Sequence, residues 1–330
     1  MDRSNNIVDV PAGSPSNNTD DAVPAHLSHD PSTNAKRTDP FQFGHRILTD
    51  SDDVFEFNAW DHVEPDESHF EYCEAQYAAQ RSSPVSEFDK NRFNSNPEKW
   101  WDLFYKQKSS TFFKDRKWLF QEFPILQEIT SKGAGKRILL EVGAGAGNTA
   151  FPIRRMNAND DLEVVAVDFS KKAVETMKNA PDSEGGIGTF RADVWDAAGQ
   201  DLPDGVLEGS VDVVIMIFIF SALSPSQWEQ CTQNIRRLLK PGGHVLFRDY
   251  GRGDLAQVRF KAGRWMDENF YVRGDGTRVY FFDKDELHKL WGKHFTVLDL
   301  AVDRRLIVNR QRRIKMYRCW IQGRFQKANT

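Results

Sequence analysis

Short apolar runs, separated by glycine-rich turns and amphipathic stretches, dominate the chain from about residue 137 onward. Such runs are typical of strands buried on both faces, and the stretches between them are typical of helices that cover a sheet. The pattern predicts strands at residues 137–142, 162–168, 188–193, 211–220, 243–248, 297–302 and 314–322. This alternation predicts an α/β fold, with a seven-stranded, mostly parallel sheet and helices on both faces.

The first 130 residues have a different pattern. Residues 1–40 are rich in Asn, Ser, Asp and Pro and poor in large apolar groups, which predicts a disordered tail. Aromatic and aliphatic residues begin at residue 41 and predict an ordered extension over residues 41–130, ahead of the α/β domain at 131–330. Within the extension, residues 70–80 have helical character, a helix is expected to begin at Pro97, and another is expected over residues 112–122.

Composition is that of a soluble globular protein, with 39% hydrophobic, 28% charged and 12% aromatic residues among 330. No apolar run approaches the length of a membrane span, and the first residues lack the order of a signal peptide, so we expect a cytoplasmic protein that does not contact membranes. Three widely spaced cysteines, Cys73, Cys231 and Cys319, predict buried small apolar side chains rather than a disulfide framework or a metal site.

Charge is distributed unevenly along the chain. Residues 1–89 contain 18 acidic and 5 basic residues, a balance of -13, whereas residues 90–330 carry a balance of +9 within an overall charge of -4. A basic domain of this kind suits a polyanionic partner such as a nucleic acid. Charge alone leaves open the alternative that these residues form ordinary solvated surfaces.

A glycine-rich segment, Glu141-Val-Gly-Ala-Gly-Ala-Gly147, follows the first predicted strand of the α/β domain. Gly143, Gly145 and Gly147 allow sharp turns and a close approach of the backbone to a ligand. Asp168 ends the next strand, at a distance in sequence where an acid accepts hydrogen bonds from ribose hydroxyls. Because ligands bind at the carboxyl ends of parallel strands, the pattern predicts an adenosine-containing cofactor there.

Three further strand-end residues fit the same ligand. Asp193 ends the third strand, where its carboxylate is expected to accept from the adenine amino group and the amide of Val194 to face the ring. Ile217 is expected to supply apolar contact to adenine. Each residue also has an ordinary alternative, such as a helix cap or a core position. No G-x-x-x-x-G-K-[ST] segment is present to suggest phosphoryl transfer.

Several segments together resemble the eukaryotic tRNA 3-methylcytidine methyltransferases. They are Trp100-Trp-Asp-Leu-Phe-Tyr105, Phe112-Phe-Lys-Asp-Arg116, Glu141-Val-Gly-Ala-Gly-Ala-Gly-Asn148, Asp168-Phe-Ser170, Phe247-Arg-Asp-Tyr-Gly-Arg252 and Asn269-Phe-Tyr-Val-Arg-Gly-Asp-Gly-Thr-Arg278. The resemblance spans residue 41 to the C-terminus. It implies a class I Rossmann-like methyltransferase fold, S-adenosyl-L-methionine as cofactor and tRNA as substrate.

The extension resembles one branch of that family. Phe41-Gln-Phe-Gly-His-Arg-Ile-Leu48 and Asn58-Ala-Trp-Asp61 are similar to the branch that acts on threonine tRNA, which implies cytidine 32 of the anticodon loop as the target. Ala144 and Ala146 stand where relatives often carry Cys and Val, and we expect no loss of cofactor binding from this difference. The sequence leaves open whether a helper protein presents the tRNA.

Methylation of cytosine N3 requires no strong general base, because N3 carries its own lone pair. The cytosine ring gains positive charge during transfer, so a carboxylate beside its exocyclic amine favours the transition state. Asp249, directly after the fifth predicted strand, is the candidate catalytic residue. A role as a cap of the following segment is the alternative.

A base within an RNA loop must be turned out to reach the methyl donor, and it is then held by stacking and hydrogen bonds. The residues with suitable chemistry, whose motifs the family resemblance assigns to the base pocket, are Phe112, Arg116, Phe270 and Arg273. Core packing remains an alternative for either Phe. The resemblance also implies that Trp101 and Tyr105 form a lid over the cofactor, where aromatic faces meet the sulfonium, although ordinary helix packing explains an arbitrary pair at this spacing.

The C-terminal part of the chain is dense in basic residues: Arg304, Arg305, Arg310, Arg312, Arg313, Lys315 and Arg318. We expect these side chains to contact phosphates, which gives salt-dependent affinity without reading sequence. Two other classes of function stay open: a non-catalytic RNA-binding protein with the same fold, and a methyltransferase of small molecules or proteins.

Overall fold

The computed structural model describes residues 44, 46–108 and 112–329. These residues belong to one compact unit, Arg37–Thr330. The tail that the sequence predicts to be disordered, residues 1–40, lies outside the described residues. So do residues 41–43 and 45 of the motif similar to the threonine branch.

Helices and strands alternate through most of the described chain. The helices are α1 (Glu67–Arg81), α2 (Glu87–Ser95), α3 (Pro97–Lys108), α4 (Leu119–Glu122), α5 (Ile125–Thr130), α6 (Ala150–Met156), α7 (Lys171–Lys178), α8 (Pro225–Leu238), α9 (Leu255–Val258) and α10 (Lys284–Gly292). The strands are β1 (Ala59–Asp61), β2 (Arg137–Val142), β3 (Leu162–Asp168), β4 (Thr189–Val194), β5 (Val211–Ile217), β6 (Leu239–Tyr250), β7 (Trp265–Asp267), β8 (Phe270–Val272), β9 (Arg278–Tyr280), β10 (Thr296–Asn309) and β11 (Ile314–Gln326).

An eight-stranded sheet in the order β1-β10-β11-β6-β5-β2-β3-β4 forms the centre of the molecule. Strands β6, β5, β2, β3 and β4 are parallel, and β11, β10 and β1 continue the sheet as antiparallel strands. The predicted α/β fold with a mostly parallel sheet is therefore confirmed. The sheet has eight strands rather than the predicted seven, because the extension contributes β1. This strand has three residues, too few for an alternation of apolar and polar positions to predict it.

Apolar side chains cover both faces of the sheet. One cluster includes Trp228 of α8 and Trp291 of α10, and the cluster on the other face includes Phe123, Phe151 of α6 and Met177 of α7. Full burial of one such large side chain stabilises the fold by about 1.5–3 kcal/mol. With both faces covered, the carboxyl ends of the parallel strands are the expected place for a ligand.

The described part of the extension is docked on this core. Trp60 of β1 is completely buried, and its indole N–H donates to the Val54 carbonyl at 2.8 Å. Gln80 near the end of α1 is buried, and its amide donates to the carbonyl of Gln257 at 3.1 Å while its oxygen accepts from the Tyr271 hydroxyl at 2.9 Å. These buried contacts attach the described part of the extension to the core.

The helix predicted over residues 112–122 is wrong for most of its length. Only α4 is helical, and residues 112–118 form bends and turns. The amide of Arg116 donates to the Asn148 carbonyl at 3.0 Å, and the Asn148 side chain donates to the Phe113 carbonyl at 3.0 Å. These contacts tie the segment to the glycine-rich loop, and they replace the hydrogen bonds of a local helix. In contrast, the predicted helix start at Pro97 is confirmed.

A second sheet of three short antiparallel strands, β7, β8 and β9, lies outside the predicted elements. The segment Asn269-Phe-Tyr-Val-Arg-Gly-Asp-Gly-Thr-Arg278 contains β8, the connection between β8 and β9, and the first residue of β9. Strands of three residues are too short for the hydrophobic pattern to predict.

Among the described residues, none of the helices has the length and apolar character that crossing a bilayer needs. Within the same residues there is no group of three or more His, Cys, Asp or Glu side chains arranged to hold a metal ion. The three cysteines are free and buried, as the sequence predicted.

Candidate functional site

A cavity lies at the carboxyl ends of β2, β3 and β5. Its walls are formed by α3, the glycine-rich loop after β2, the end of β3, residues 195–197 after β4, and residues 217–223 around the end of β5. The cavity therefore occupies the position at which parallel sheets bind ligands.

The glycine-rich loop lines the cavity with backbone. Gly143 and Gly145 have left-handed φ angles of 67° and 58° and lie in the cavity wall. A Cβ atom at Gly145 would come within 2.3 Å of the Tyr105 hydroxyl oxygen. Gly147 does not line the cavity; it allows close packing against the ring of Phe151.

Asp168 holds the glycine-rich loop against the end of β3. One carboxylate oxygen accepts from the Gly145 amide at 2.9 Å, and the other accepts from the Ser170 amide at 2.9 Å. Burial raises the pKa of the Asp168 carboxyl to about 6, although these two hydrogen bonds oppose the shift. A carboxylate accepts about four hydrogen bonds, so lone pairs remain that face the cavity.

Glu141 lines the cavity beneath the loop. Its carboxylate accepts from the Ala150 amide at 2.8 Å, at the start of α6. Burial raises the pKa of the Glu141 carboxyl to about 7, and the neighbouring positive charge of Arg116 opposes the shift. Glu141 therefore fixes the first turn of α6 and also places a titratable oxygen in the cavity.

Trp101 and Tyr105 of α3 form one wall, with their rings stacked at a centroid distance of 6.1 Å. Asp102 anchors this helix, because its carboxylate accepts from the Ser170 hydroxyl at 2.6 Å and from the Lys172 amide at 3.1 Å. The structure thus brings both predicted lid residues to the cavity. No pattern in the sequence indicated the anchoring role of Asp102.

Arg116 also lines the cavity. Its guanidinium lies 5.9 Å from the ring centroid of Phe218. Burial lowers the pKa of Arg116, while the nearby groups Glu141 and Tyr105 act in the opposite direction. In the described part of the chain, no carboxylate lies within ion-pair distance of it, so this half-buried cation remains available to an anionic group of a ligand.

The structure does not bring Asp193 and Val194 into the cavity wall. The Asp193 carboxylate accepts from Arg191 at 2.8 Å and lies 3.5 Å from the ammonium of Lys178, and the Val194 side chain is exposed. Val194 pairs with Asp168 in the sheet register, so Asp193 and Val194 lie next to the cavity without lining it. Their contact with adenine stays a prediction. Ile217, in contrast, lines the cavity, and its contact with adenine stays a prediction as well.

Asp249 does not reach the cavity, contrary to expectation. Its side chain is completely buried; one carboxylate oxygen accepts from the Ser221 amide at 2.9 Å and the other from the Tyr250 amide at 2.8 Å. Burial raises the pKa of the Asp249 carboxyl to about 6. Because side chains alternate along a strand, Asp249 shares the face of Phe247, which packs in the aromatic core. Direct contact with a substrate is therefore not supported.

Phe270 is a core residue, which corrects its assignment to the base pocket. Its side chain is 3% exposed and packs in the apolar cluster beside Tyr280. Phe112 is half exposed and packs edge-on against Phe104 and Phe113. Phe113, rather than Phe112, lines the cavity.

Arg273 lies near the cavity without lining it. Its guanidinium donates to the Arg278 carbonyl at 3.1 Å and lies 5.8 Å from the ring centroid of Tyr250. The positive charge of Arg273 also lowers the pKa of Asp249, against the larger effect of burial.

Arg304 and Arg305 lie on β10, away from the cavity wall. Arg304 forms an ion pair with Glu64 at 2.9 Å, and Arg305 forms ion pairs with Asp61 at 3.3 Å and Asp303 at 3.4 Å. In this structure both guanidinium groups attach the extension to the sheet. Their contact with phosphate stays a prediction.

Sequence reasoning missed two aromatic residues near the cavity, Phe218 and Tyr250. Phe218 follows β5 directly and adopts a left-handed φ of 59°, which is rare for a bulky residue. Tyr250 ends β6, and the two ring centroids are 4.9 Å apart. The available signal was their position at the ends of neighbouring strands.

Comparison with known proteins agrees with this geometry. A family model described as a methyltransferase domain matches residues 140–245. The Saccharomyces cerevisiae protein named tRNA(Thr) (cytosine(32)-N(3))-methyltransferase is 51% identical over 289 residues, which cover 87% of this chain and 46% of that protein. This chain thus spans about half the length of its yeast relative.

Two further relatives are matched over nearly their whole length. The Schizosaccharomyces pombe tRNA N(3)-methylcytidine methyltransferase is 49% identical, with 86% of this chain and 92% of the relative covered. The Drosophila melanogaster tRNA N(3)-methylcytidine methyltransferase is 43% identical, with 88% and 90% covered. The chain therefore belongs to the family of tRNA N(3)-methylcytidine methyltransferases.

Proposed function

We propose that this protein transfers a methyl group from S-adenosyl-L-methionine to N3 of cytidine 32 in the anticodon loop of tRNA, with threonine tRNA as the preferred substrate. The observation that carries the proposal is the cavity at the strand ends, in which the buried Asp168 carboxylate and a backbone of left-handed glycines face the same space. The names of the relatives supply the substrate class.

The residues present fit the cofactor. The cavity lies at the strand ends and combines glycine backbone, carboxylates and aromatic faces, which are the groups that an adenosine-containing ligand needs. Asp168 would accept hydrogen bonds from the ribose hydroxyls through its remaining lone pairs. The faces of Trp101 and Tyr105 suit a sulfonium cation, and Ile217 offers apolar contact to the adenine. Arg116 is a half-buried cation in the wall that suits the cofactor's carboxylate or a substrate phosphate.

When bound, the cofactor supplies an electrophilic methyl group. The lone pair of cytosine N3 would accept this methyl group without prior loss of a proton, and the ring would carry the resulting positive charge. The chain needs no strong base for this step. Its residues must orient the base, exclude water with side chains such as Ile217 and Ile219, and present negative charge nearby. Among the described residues, the carboxylates that line the cavity are those of Glu141, Asp168 and Asp196.

The preference for threonine tRNA rests on the extension. The segment Asn58-Ala-Trp-Asp61 contains β1, which pairs with β10 at the edge of the sheet. The yeast relative, whose name specifies threonine tRNA, is 51% identical. Strand β1 supports a role in choosing the tRNA, because it adds surface at the edge of the sheet that the catalytic domain alone lacks.

The turn between β10 and β11 supports binding of a polyanion. Exposed basic residues cluster there: Arg310, Arg312, Arg313 and Lys315. The Arg313 guanidinium lies 4.1 Å from the ring centroid of Phe55, so the extension also orders this turn. Such a cluster suits the phosphates of the anticodon stem. The cytoplasmic location predicted from the sequence remains part of the proposal.

Incubation of the purified protein with isotopically labelled S-adenosylmethionine and total tRNA tests the proposal. We expect label in 3-methylcytidine after nucleoside digestion and mass spectrometry, and none with Asp168→Ala. Label in proteins or small molecules instead of tRNA would contradict the proposed substrate. tRNA binding without any label would indicate a non-catalytic RNA-binding protein.

A further inference from the structure

Two aromatic side chains meet beside the cavity at the ends of neighbouring parallel strands. Phe218 follows β5 and lines the cavity, and Tyr250 ends β6. Their ring centroids are 4.9 Å apart with an interplanar angle of 48°. Both rings are half-buried, so each retains surface for a further contact.

The backbone of Phe218 is held in a conformation that L-residues avoid. Its φ is 59°, and its amide donates to the Arg248 carbonyl at 2.8 Å on the neighbouring strand. Such a conformation costs free energy in a bulky residue, and it persists where the surrounding structure requires it, often at functional sites. Here it turns the chain sharply at the strand end, so that the Phe218 ring lies in the cavity wall.

Asp249 holds the backbone beside both aromatic residues through two hydrogen bonds. One of its oxygens accepts from the Tyr250 amide, and the other accepts from the Ser221 amide in the short 3₁₀ helix Phe220–Ala222 that follows Phe218. Because side chains alternate along β6, Tyr250 points to the face opposite that of Asp249. The buried carboxylate is thus a positioning residue for the two rings.

Cations flank the aromatic pair on two sides. The Arg116 guanidinium is 5.9 Å from the Phe218 ring centroid, and the Arg273 guanidinium is 5.8 Å from the Tyr250 ring centroid. Aromatic faces with neighbouring guanidinium groups match an extruded nucleotide, which offers a flat base and two flanking phosphates. The two phenylalanines that the sequence favoured lack this arrangement, because Phe270 is buried in the core and Phe112 lies outside the cavity wall.

We infer that Phe218 and Tyr250 form the platform on which the target cytosine stacks while N3 faces the methyl donor. This inference rests on the proposed function and names the residues that hold its substrate. Cytosine becomes cationic on methylation, and an aromatic face favours a cation over a neutral ring. The platform therefore contributes to binding and also to the transition state.

The test replaces each ring and follows the base directly. An anticodon stem-loop RNA with a fluorescent cytosine analogue at position 32 reports stacking, because fluorescence rises on extrusion and is quenched against an aromatic side chain. We expect the RNA to fluoresce less in complex with the wild-type protein than in complex with Phe218→Leu or Tyr250→Ala, because each variant lacks one of the two rings. We also expect kcat/KM for tRNA to fall about 5- to 150-fold in each variant, the range for loss of one base–aromatic stack.

Matched controls separate stacking from damage to the fold. Tyr250→Phe keeps the ring and should stay within about twofold of wild type, because its stacking face is unchanged. Phe88→Ala and Tyr72→Ala remove exposed rings elsewhere, 77% and 53% exposed, and should leave transfer unchanged. Calorimetry with S-adenosylhomocysteine should give nearly wild-type affinity for Tyr250→Ala, since Tyr250 does not line the cavity.

The outcomes distinguish this inference from the proposed function. If wild-type protein transfers no methyl group to tRNA, the proposed function fails and the inference fails with it. If wild type transfers methyl groups and Tyr250→Ala keeps wild-type quenching and kcat/KM, only the inference is overturned. Loss of cofactor affinity in Tyr250→Ala as large as its loss of kcat/KM would also overturn it.

Discussion

Substitution of Gly145 by Ala tests the geometry of the glycine-rich loop. The residue has a left-handed φ of 58°, and a Cβ atom there would lie 2.3 Å from the Tyr105 hydroxyl oxygen. A left-handed conformation costs an L-residue about 1–2 kcal/mol, partly offset by about 0.4–1 kcal/mol from the less flexible unfolded chain. Overpacking adds about 1–3 kcal/mol. We expect Gly145→Ala to lower the free energy of unfolding by about 2–4 kcal/mol.

A double-mutant cycle isolates the part of this cost that comes from Tyr105. The Tyr105 ring carbon that carries the hydroxyl is 3.2 Å from the position of this Cβ, so Tyr105→Phe removes the closest overlap. Urea unfolding of the four proteins should therefore show that Gly145→Ala costs at least about 1 kcal/mol less in the Tyr105→Phe background. Equal costs in both backgrounds would refute the proposed contact between the loop and α3.

Three further predictions follow from buried charges. Burial raises the pKa of the Asp168 carboxyl to about 6, and hydrogen bonds from the cofactor hydroxyls favour its ionised form. Cofactor affinity measured by calorimetry should therefore rise about tenfold per pH unit up to pH 6 and then level off. Asp168→Asn should remove most of this pH dependence. Asp303→Ala removes a carboxylate partner of the buried Arg248 and should destabilise the fold by about 3–5 kcal/mol in urea unfolding. The exposed Glu208→Ala, which removes the partner of Arg237, should have a much smaller effect. Asp249→Ala should lower kcat/KM for tRNA about 100-fold, because the carboxylate no longer holds the amides of Ser221 and Tyr250 in place. Cofactor affinity should stay nearly unchanged. A loss of cofactor affinity as large as the loss of kcat/KM would contradict a positioning role.

Much of the fold was predictable because its strands are long and apolar. The runs that became β2, β3 and β5 are buried on both faces, and this pattern has few alternatives in a chain of alternating strands and helices. Gly143, Gly145 and Asp168 were predictable for the same reason, since residues that directly follow parallel strands meet at one edge of the sheet.

Side-chain direction and tertiary hydrogen bonds were not predictable. Asp249 lies at the end of the expected strand, but its side chain points into the core. Neighbouring side chains of a strand point to opposite faces of the sheet, and the sequence does not specify which face holds the cavity. Phe270 lies on a three-residue strand without a readable period. The segment before α4 is not helical, because it forms hydrogen bonds with Asn148 instead of the hydrogen bonds of a helix. The position of Asn148 depends on the whole fold.

Nucleoside mass spectrometry of purified threonine tRNA, from cells with and without this gene, tests the central claim most directly. We predict that 3-methylcytidine at position 32 disappears without the gene, returns with the wild-type gene, and does not return with Asp168→Ala. Unchanged 3-methylcytidine in the absence of the gene, or full restoration by Asp168→Ala, would contradict the account of the cavity as the site of methyl transfer.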